Sequence, residues 1–331
     1  MTNNTFKEIW DVLMKAQSIV MPLHIKPDED CMCCATCMKD VLESYGKEVT
    51  LTSLDEPLYL EDLTESVEVK RVDFTDIEYS DYDVLLVLDI DRFTRLTHKN
   101  VLEKIENTIV INIDHHQGNT MLADYKYLEY TQVCSTSEIL YDLFLENNIE
   151  LTRYRASLLF AGLADDSGWF TYDPSPQTFD KAKDLMTKGA IPRSIRKSLL
   201  RSSAPVLKLL GRMLSRITTD DEHKLVYSWM EYKDFEELDL VGKQYKKGSD
   251  ELKNIPGYLI TCVFIEEEPG RIRVSIRCRE GSFIDVSQIA AQFSGGGGHK
   301  YASGFTLYDM TIEQAKDAVI KAIEKTEILE K

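Results

Sequence analysis

Four short stretches of this chain concentrate residue types that bind divalent cations: "HIKPDED" (24–30), "VLDID" (87–91), "IDHH" (113–116) and "GLADDSG" (162–168). Carboxylates and imidazoles without thiolates suit hard to borderline ions such as manganese or magnesium. So many acids can share one place only if cations neutralise them. Six or more donors are too many for one ion that must also keep open positions. Two ions about 3.5–4 Å apart, bridged by one carboxylate and a hydroxide, would use them all. Such pairs activate water and stabilise in-line displacement at phosphorus. Each piece alone has an ordinary explanation: "PDED" as a solvated acidic turn, Asp89 as a helix cap, "DHH" as a hydrogen-bond network. Their placement together carries the shared-site reading.

A second candidate overlaps the first. Cys31, Cys33, Cys34 and Cys37 follow directly on the acids, and C-x-C-C-x-x-C resembles a zinc or iron–sulfur spacing. Such pairs normally sit on turns with a second pair far along the chain. Here the remaining cysteines, Cys134, Cys262 and Cys278, are scattered. "DCMCCATCMKDVLESYG" has no Gly or Pro before Gly46, so it reads as one helix, apolar nearly all round, with its cysteines as small hydrophobes. Cys31 and Cys33 fall in the first turn, where the helix dipole lowers thiol pKa, and are expected to be oxidation-prone.

The third is "FSGGGGHKYASG" (293–304). Its glycines let backbone approach a ligand and present N–H groups to an anion, with His299 at hand as a phosphate donor. In "SIRCR", Arg277 and Arg279 alternate on a strand and share a face toward the same groove.

These groups need elements to hold them. "SIVMPLH" (18–24), "EVTLTSL" (48–54), "YDVLLVLDID" (82–91) and "TIVINIDHH" (108–116) read as buried parallel strands. "CMKDVLESYGK" and "STSEILYDLFLENN" read as helices, the second opened by a Ser135–Glu138 capping box. Strands alternating with helices predict a doubly wound α/β domain. Its strand carboxyl ends share one edge, where ligands bind. His24, Asp28 and Asp30 follow the first strand, Asp89 and Asp91 end the third, and Asp114, His115 and His116 end the fourth. Asp165 and Asp166 follow the apolar run "ASLLFAGLA", so all four groups are expected at strand ends. A basic helical connector over 193–218, with Arg193, Arg196, Lys197 and Arg201, reads as a solvated face before a substrate contact. From about Leu225 the pattern becomes that of a smaller α/β domain with an antiparallel or mixed sheet. It includes helices over 283–293 and 311–327, the latter with Thr311 as cap and Gln314 three residues on. The expected domains are 1–192, a helical linker 193–222, and 223–331.

The 331 residues suffice for two domains, and 43% hydrophobic with 29% charged content is ordinary for a globular chain. No apolar run approaches the roughly 20 residues that span a bilayer. "MTNNTFKEIW" lacks a signal peptide's basic start and apolar core, so the cytoplasm and reduced thiols are expected. A net charge of −17 disfavours binding of long duplex nucleic acid, which depends on Lys and Arg neutralising phosphates, but leaves room for a small phosphorylated substrate.

"HIKPDED", "VLDID", "IDHH" and "LADDSG" resemble the successive motifs of the DHH phosphoesterase superfamily, and "SGGGGHKYASG" is similar to the GGGH motif of its DHH-associated C-terminal domain. Order and spacing match over nearly the whole chain, most of all with the compact bacterial nanoRNase and pAp-phosphatase type. The resemblance implies a manganese-dependent phosphohydrolase, with magnesium or cobalt as other possible ions. It would degrade short oligoribonucleotides to mononucleotides and dephosphorylate pAp to AMP. His24, Asp28 and Asp89 would hold one ion; Asp30, Asp89, His115 and Asp166 the other, with Asp89 bridging. His116 would lie by the substrate phosphate or behind the ligands. Arg95, Arg277, Gly296, Gly297, Gly298 and His299 would bind substrate, and a homodimer is expected.

The chain departs from the family pattern at Glu29 (usually Gly), Cys33 and Cys34 (commonly Gly and a small residue), Asp165 (commonly Thr) and Thr171 (commonly Arg). None of these removes an expected ligand; they bear on substrate preference. The alternative activity is a phosphodiesterase acting on cyclic dinucleotides such as c-di-AMP or on linear pApA. A nucleotide sensor or a cysteine-based redox protein is the reading from a different class. Inorganic pyrophosphatases share the N-terminal motifs but lack GGGH.

Overall fold

The computed structural model describes residues 3–57, 59–60, 63–99, 105, 107–171, 174–199, 203–242, 248–253, 255–279 and 282–326. Contacts divide the chain into two units, Met1–Arg201 and Ser202–Lys331.

The first unit is a parallel sheet of β1 (Ser18–Pro22), β2 (Glu48–Ser53), β3 (Val69–Arg71), β4 (Val84–Leu88), β5 (Ile109–Asp114) and β6 (Tyr125–Leu128) in the order β3-β2-β1-β4-β5-β6. All five pairings are parallel. Every residue of β4 is buried, and burying each such side chain contributes about 1.5–3 kcal/mol. Strand order reverses between β1 and β4, and the loops leaving their carboxyl ends diverge there to open a crevice.

Helices α1 (Phe6–Lys15), α2 (Glu29–Ser44), α3 (Thr136–Glu146), α4 (Arg153–Asp166), α5 (Pro176–Thr187) and α6 (Pro192–Leu199) complete the unit. The cysteine stretch is α2, as its lack of helix breakers predicts, capped by Asp28, whose carboxylate accepts the Cys31 N–H. All four of its cysteines are buried, and α2 packs against α4. Small side chains permit a close approach: a Cβ added to Gly162 of α4 would lie 2.2 Å from the Asp30 Oδ1 of α2.

The run "ASLLFAGLA" is the middle of α4, so Asp165 and Asp166 arrive from a helix C-terminus and not from a strand end. A buried run apolar all round does not distinguish helix from strand by periodicity, and here the Thr152 cap and helical length decide. At α3 only half of the expected capping box forms. Ser135 accepts the Glu138 N–H, while Glu138 Oε1 accepts the Cys134 N–H at 3.0 Å and the Thr178 hydroxyl at 3.0 Å.

The second unit has α7 (Ala204–Ser215), β7 (Thr218–Asp220), β8 (Leu225–Met230), α8 (Tyr232–Glu237), α9 (Ser249–Leu252), β9 (Ile260–Glu268), β10 (Arg271–Cys278), α10 (Val286–Ala290), β11 (Gly297–His299), β12 (Ala302–Leu307) and α11 (Ile312–Lys325). Its sheet order is β11-β12-β10-β9-β8-β7, mixed because β8 and β9 are parallel and the rest antiparallel. The Thr311–Gln314 capping box is complete. Helix α10 covers only the middle of the expected 283–293, because Asp285 caps it. No helix among the described residues is long and apolar enough to cross a membrane.

Candidate metal centre

Three loops and the ends of two helices, the N-terminus of α2 and the C-terminus of α4, meet above the β1/β4 crevice. Asp89 stands directly after β4 with φ +63°, a left-handed backbone that costs a residue with a Cβ about 1–2 kcal/mol and that Asp tolerates better than most. The surrounding hydrogen bonds hold it: its N–H donates to Ile113 O at 3.0 Å and its Oδ1 accepts the Thr136 hydroxyl at 3.0 Å. Asp89 is 1% exposed.

Three donor groups form around it. Asp30, Asp89, His115 and Asp166 each bring an atom within 4.8 Å of the others. Asp89, His115 and His116 form a second group, and His24, Cys31 and Asp89 a third. Asp28 stands beside the third, its Oδ2 3.3 Å from His24 Nε2.

Asp30 lies in the first turn of α2, fully buried, and its carboxylate sits on the N-terminus of α3. There it accepts the N–H groups of Thr136 at 2.8 Å and Ser137 at 3.3 Å, together with the Ser137 hydroxyl. Even so, burial and then the Asp89 charge push its carboxyl up to about 6. Burial and the Asp30 charge raise Asp166 well above the carboxylate range. Asp165 is pushed up to about 10 by burial, then by Glu29, to which it is hydrogen-bonded, and by Asp166. Two departures from the family pattern, Glu29 and Asp165, thus face each other. Burial would raise Asp28 as well, but the His24 imidazole outweighs it and holds the carboxyl low, with Arg95 contributing.

The histidines bring ring nitrogens into the same cluster. His24 Nδ1 lies 3.0 Å from Ile25 O, a contact that fixes the ring and leaves Nε2 facing Asp28 and Asp89. Nε2 of His24 and Nε2 of His115 are buried without a hydrogen-bond partner, although Asp166 Oδ2 is 3.2 Å from the latter. Burial disfavours charging either ring. Cys31 and Asp28 around His24, and Asp166 and Asp89 around His115, more than offset it and raise both. His116 Nδ1 is 2.7 Å from Asp114 Oδ1, and Asn119 donates to Asp114 Oδ2 at 2.6 Å. Buried carboxylates that resist ionising, facing imidazole nitrogens without hydrogen-bond partners, fit divalent cations well.

Asp91 pairs with the neighbouring Arg92 at 2.5 Å and joins no donor group. Arg277 Nη1 donates to Ile276 O at 3.0 Å, while Arg279 lies just past the end of β10 and is exposed. The glycine run turns into β11. A Cβ at Gly296 would sit 2.0 Å from Ala290 O, and one at Gly298, with φ +137°, 2.6 Å from Ala302 O, so at both positions the chain's own backbone already requires glycine. The His299 side chain and Arg201 lie outside the described residues. In the basic helix, Arg196 stacks over Trp169, 5.4 Å from its ring centroid, and lines an open groove with Pro192, Arg193 and Lys197. The thiols of Cys31 and Cys33 are pushed up by burial, the direction opposite to that expected from the helix dipole, and both are sealed from solvent. Sequence reasoning missed Gly162, Ser137, Asn119 and the position of Cys31.

A parallel sheet with this cluster at its switch point defines a metal-dependent phosphoesterase. Residues 18–163 match the DHH family, N-terminal domain, and residues 223–327 match the DHHA1 domain. The chain thus carries a DHH N-terminal domain and a DHHA1 domain. It is 25% identical over 311 residues, 92% of this chain and 94% of the other, to a Streptococcus mutans protein named probable bifunctional oligoribonuclease and PAP phosphatase. It is 24% identical over 329 residues to a cyclic-di-AMP phosphodiesterase of Geobacillus thermodenitrificans, covering 95% of this chain and 48% of that protein. The fold matches the crystal structure of an exopolyphosphatase-related protein from Bacteroides fragilis with a TM-score of 0.86, at 23% identity, over 98% of this chain and 96% of that one.

Proposed function

We propose that this protein hydrolyses short oligoribonucleotides to mononucleotides and removes the 3′ phosphate of pAp, using two divalent cations of which manganese is the expected one. The observation that carries the reading is the convergence of Asp30, Asp89, His115 and Asp166 within 4.8 Å, with Asp89 also a member of two further donor groups. His24, Asp28 and Asp89 would hold one cation, and Asp30, Asp89, His115 and Asp166 the other. When bound, the pair supplies Lewis acidity to the phosphoryl oxygens and a water that is nucleophilic at neutral pH.

The chain's own groups do the rest. Asp114 fixes the His116 ring through Nδ1, which leaves Nε2 as the atom that can pass a proton to the leaving oxygen. Asp30 keeps its place through the α3 N-terminus. In the second unit, Arg277, Gly296, Gly297, Gly298 and His299 would take the substrate's phosphate, sugar or base, and Arg95 would assist near Asp28. Substrates of a few nucleotides suit a net charge of −17. A homodimer in the cytoplasm is part of the reading.

Similarity to a cyclic-di-AMP phosphodiesterase over 95% of this chain favours a second reading, hydrolysis of c-di-AMP or linear pApA. Rates on labelled RNA dinucleotide and trinucleotide, pAp, pApA and c-di-AMP with manganese separate the two. Asp89→Ala is expected to abolish turnover of all five; full hydrolysis by that variant would overturn the mechanism.

A further inference from the structure

The two cation positions differ in chemistry. The group of Asp30, Asp89, His115 and Asp166 offers only oxygen and nitrogen. The other contains sulfur: Cys31 brings its Sγ within 4.8 Å of both a His24 nitrogen and an Asp89 oxygen. Cys31, His24 and Asp89 are 1%, 2% and 1% exposed, so nothing in this trio is a surface coincidence.

The cysteine does not stand alone as an argument. His24 Nε2 is buried without a hydrogen-bond partner and faces the same space, its ring fixed through Nδ1 by Ile25 O. Asp28 Oδ2 lies 3.3 Å from that nitrogen, beside the trio but outside its donor group. The trio's sulfur, nitrogen and carboxylate supply three protein donors of a tetrahedral site, with metal–sulfur bonds of about 2.3 Å and metal–nitrogen bonds of about 2.0–2.1 Å. Donors so bonded lie roughly 3.3–3.7 Å from each other in a tetrahedron, and the trio's atoms already stand within 4.8 Å of one another. Thiolate favours zinc, iron(II) or cobalt(II) over manganese and magnesium.

We infer that Cys31 is a thiolate ligand at the His24 position, which therefore takes a borderline-soft divalent cation such as zinc, while the all-oxygen-and-nitrogen position keeps the harder ion. On binding, the Sγ–H proton leaves to solvent and the sulfur lone pair forms the bond; no oxidant or reductant is involved. The other three α2 cysteines keep the packing role. The inference rests on the two-cation reading and divides its positions by chemical softness.

The test uses the full chain, stripped of metal and titrated with cobalt(II) and, separately, zinc. The expected result is a thiolate-to-cobalt charge-transfer band in the near ultraviolet and a zinc X-ray absorption shell with sulfur at about 2.3 Å. Cys31→Ser is expected to lose both and to weaken zinc and cobalt binding at least about tenfold, with little change for manganese. Cys37→Ala, which removes a buried thiol next to Arg155 O, should keep the band. A wild-type cobalt spectrum without thiolate character, or a band that survives Cys31→Ser, overturns the inference. If Cys31→Ser does not fold, the wild-type spectra decide alone. A cobalt protein without sulfur ligation that still hydrolyses RNA with manganese sinks only the thiolate; a chain that binds no divalent cation sinks the function as well.

Discussion

Replacing Asp165 by Asn should stabilise the metal-free protein, and do so only above acid pH. Asp165 stands at about 10 in the fold, raised by burial, by Glu29 and by Asp166, against an ordinary 3.8. A carboxyl raised by folding must take up a proton to fold. Its cost is absent below about pH 4 and grows by about 1.36 kcal/mol for each unit of pH between the two values. At pH 7 that is about 4 kcal/mol as an upper limit. Because Glu29 and Asp166 share the repulsion and can relax, about 2–4 kcal/mol is the expected gain. Asn is isosteric, neutral at every pH and can still donate to Glu29. In a unit of this size the gain corresponds to roughly 5–15 °C in Tm. The assay is thermal unfolding of EDTA-treated wild type and Asp165→Asn across pH 4 to 9. His24 and His115 titrate in both proteins, so their contributions cancel in the difference. The reasoning is refuted if the two melt together at pH 8, or if the difference is as large at pH 4 as at pH 8.

Two further substitutions test how the centre is supported. Gly162→Ala adds helix propensity of about 1 kcal/mol to α4, yet its methyl would lie 2.2 Å from both Asp30 Oδ1 and Ser137 Oγ and 3.2 Å from Asp30 Cα. We expect manganese affinity to fall about tenfold or more by calorimetry, and unchanged affinity would show that Asp30 is free to shift. Asp114→Asn weakens the hold on His116 Nδ1, now 2.7 Å away. Steady-state kinetics on pAp should show kcat down about 100-fold with KM little changed; a KM effect alone would place His116 in binding.

What was legible in the sequence was what repeats locally. Strands β1, β2, β4 and β5 announce themselves as apolar and β-branched runs. The edge strands β3, β6, β7 and β11 have three or four residues each, mostly half-exposed where described, and show no period to read. The fold class and the crevice that gathers His24, Asp30, Asp89 and His115 follow from the four longer strands. Asp166 belongs to the same cluster although its element was misjudged, because motif order survives a change from strand to helix. Gly162 carries no sequence signal, since its role is set by Asp30, 132 positions away in the chain and 2.2 Å from its missing methyl. Cys31 was hidden differently. Helical periodicity puts all four cysteines in one buried surface, and only the tertiary position of His24 singles one out. Asp114 reads as another strand-end acid, and its partner His116 shows that it positions a ring.

The left-handed backbone at Asp89 also limits how this chain can change over generations. A side chain there must supply a carboxylate to three donor groups, and its residue must accept φ +63°. Asn and Gly meet the backbone requirement but not the chemical one; Glu carries the charge but fits the backbone poorly. Descendants that lose the carboxylate while keeping the fold are therefore expected to carry Asn or Gly at this place. Such a residue in a relative would mark a lineage in which the fold has outlived its metal chemistry.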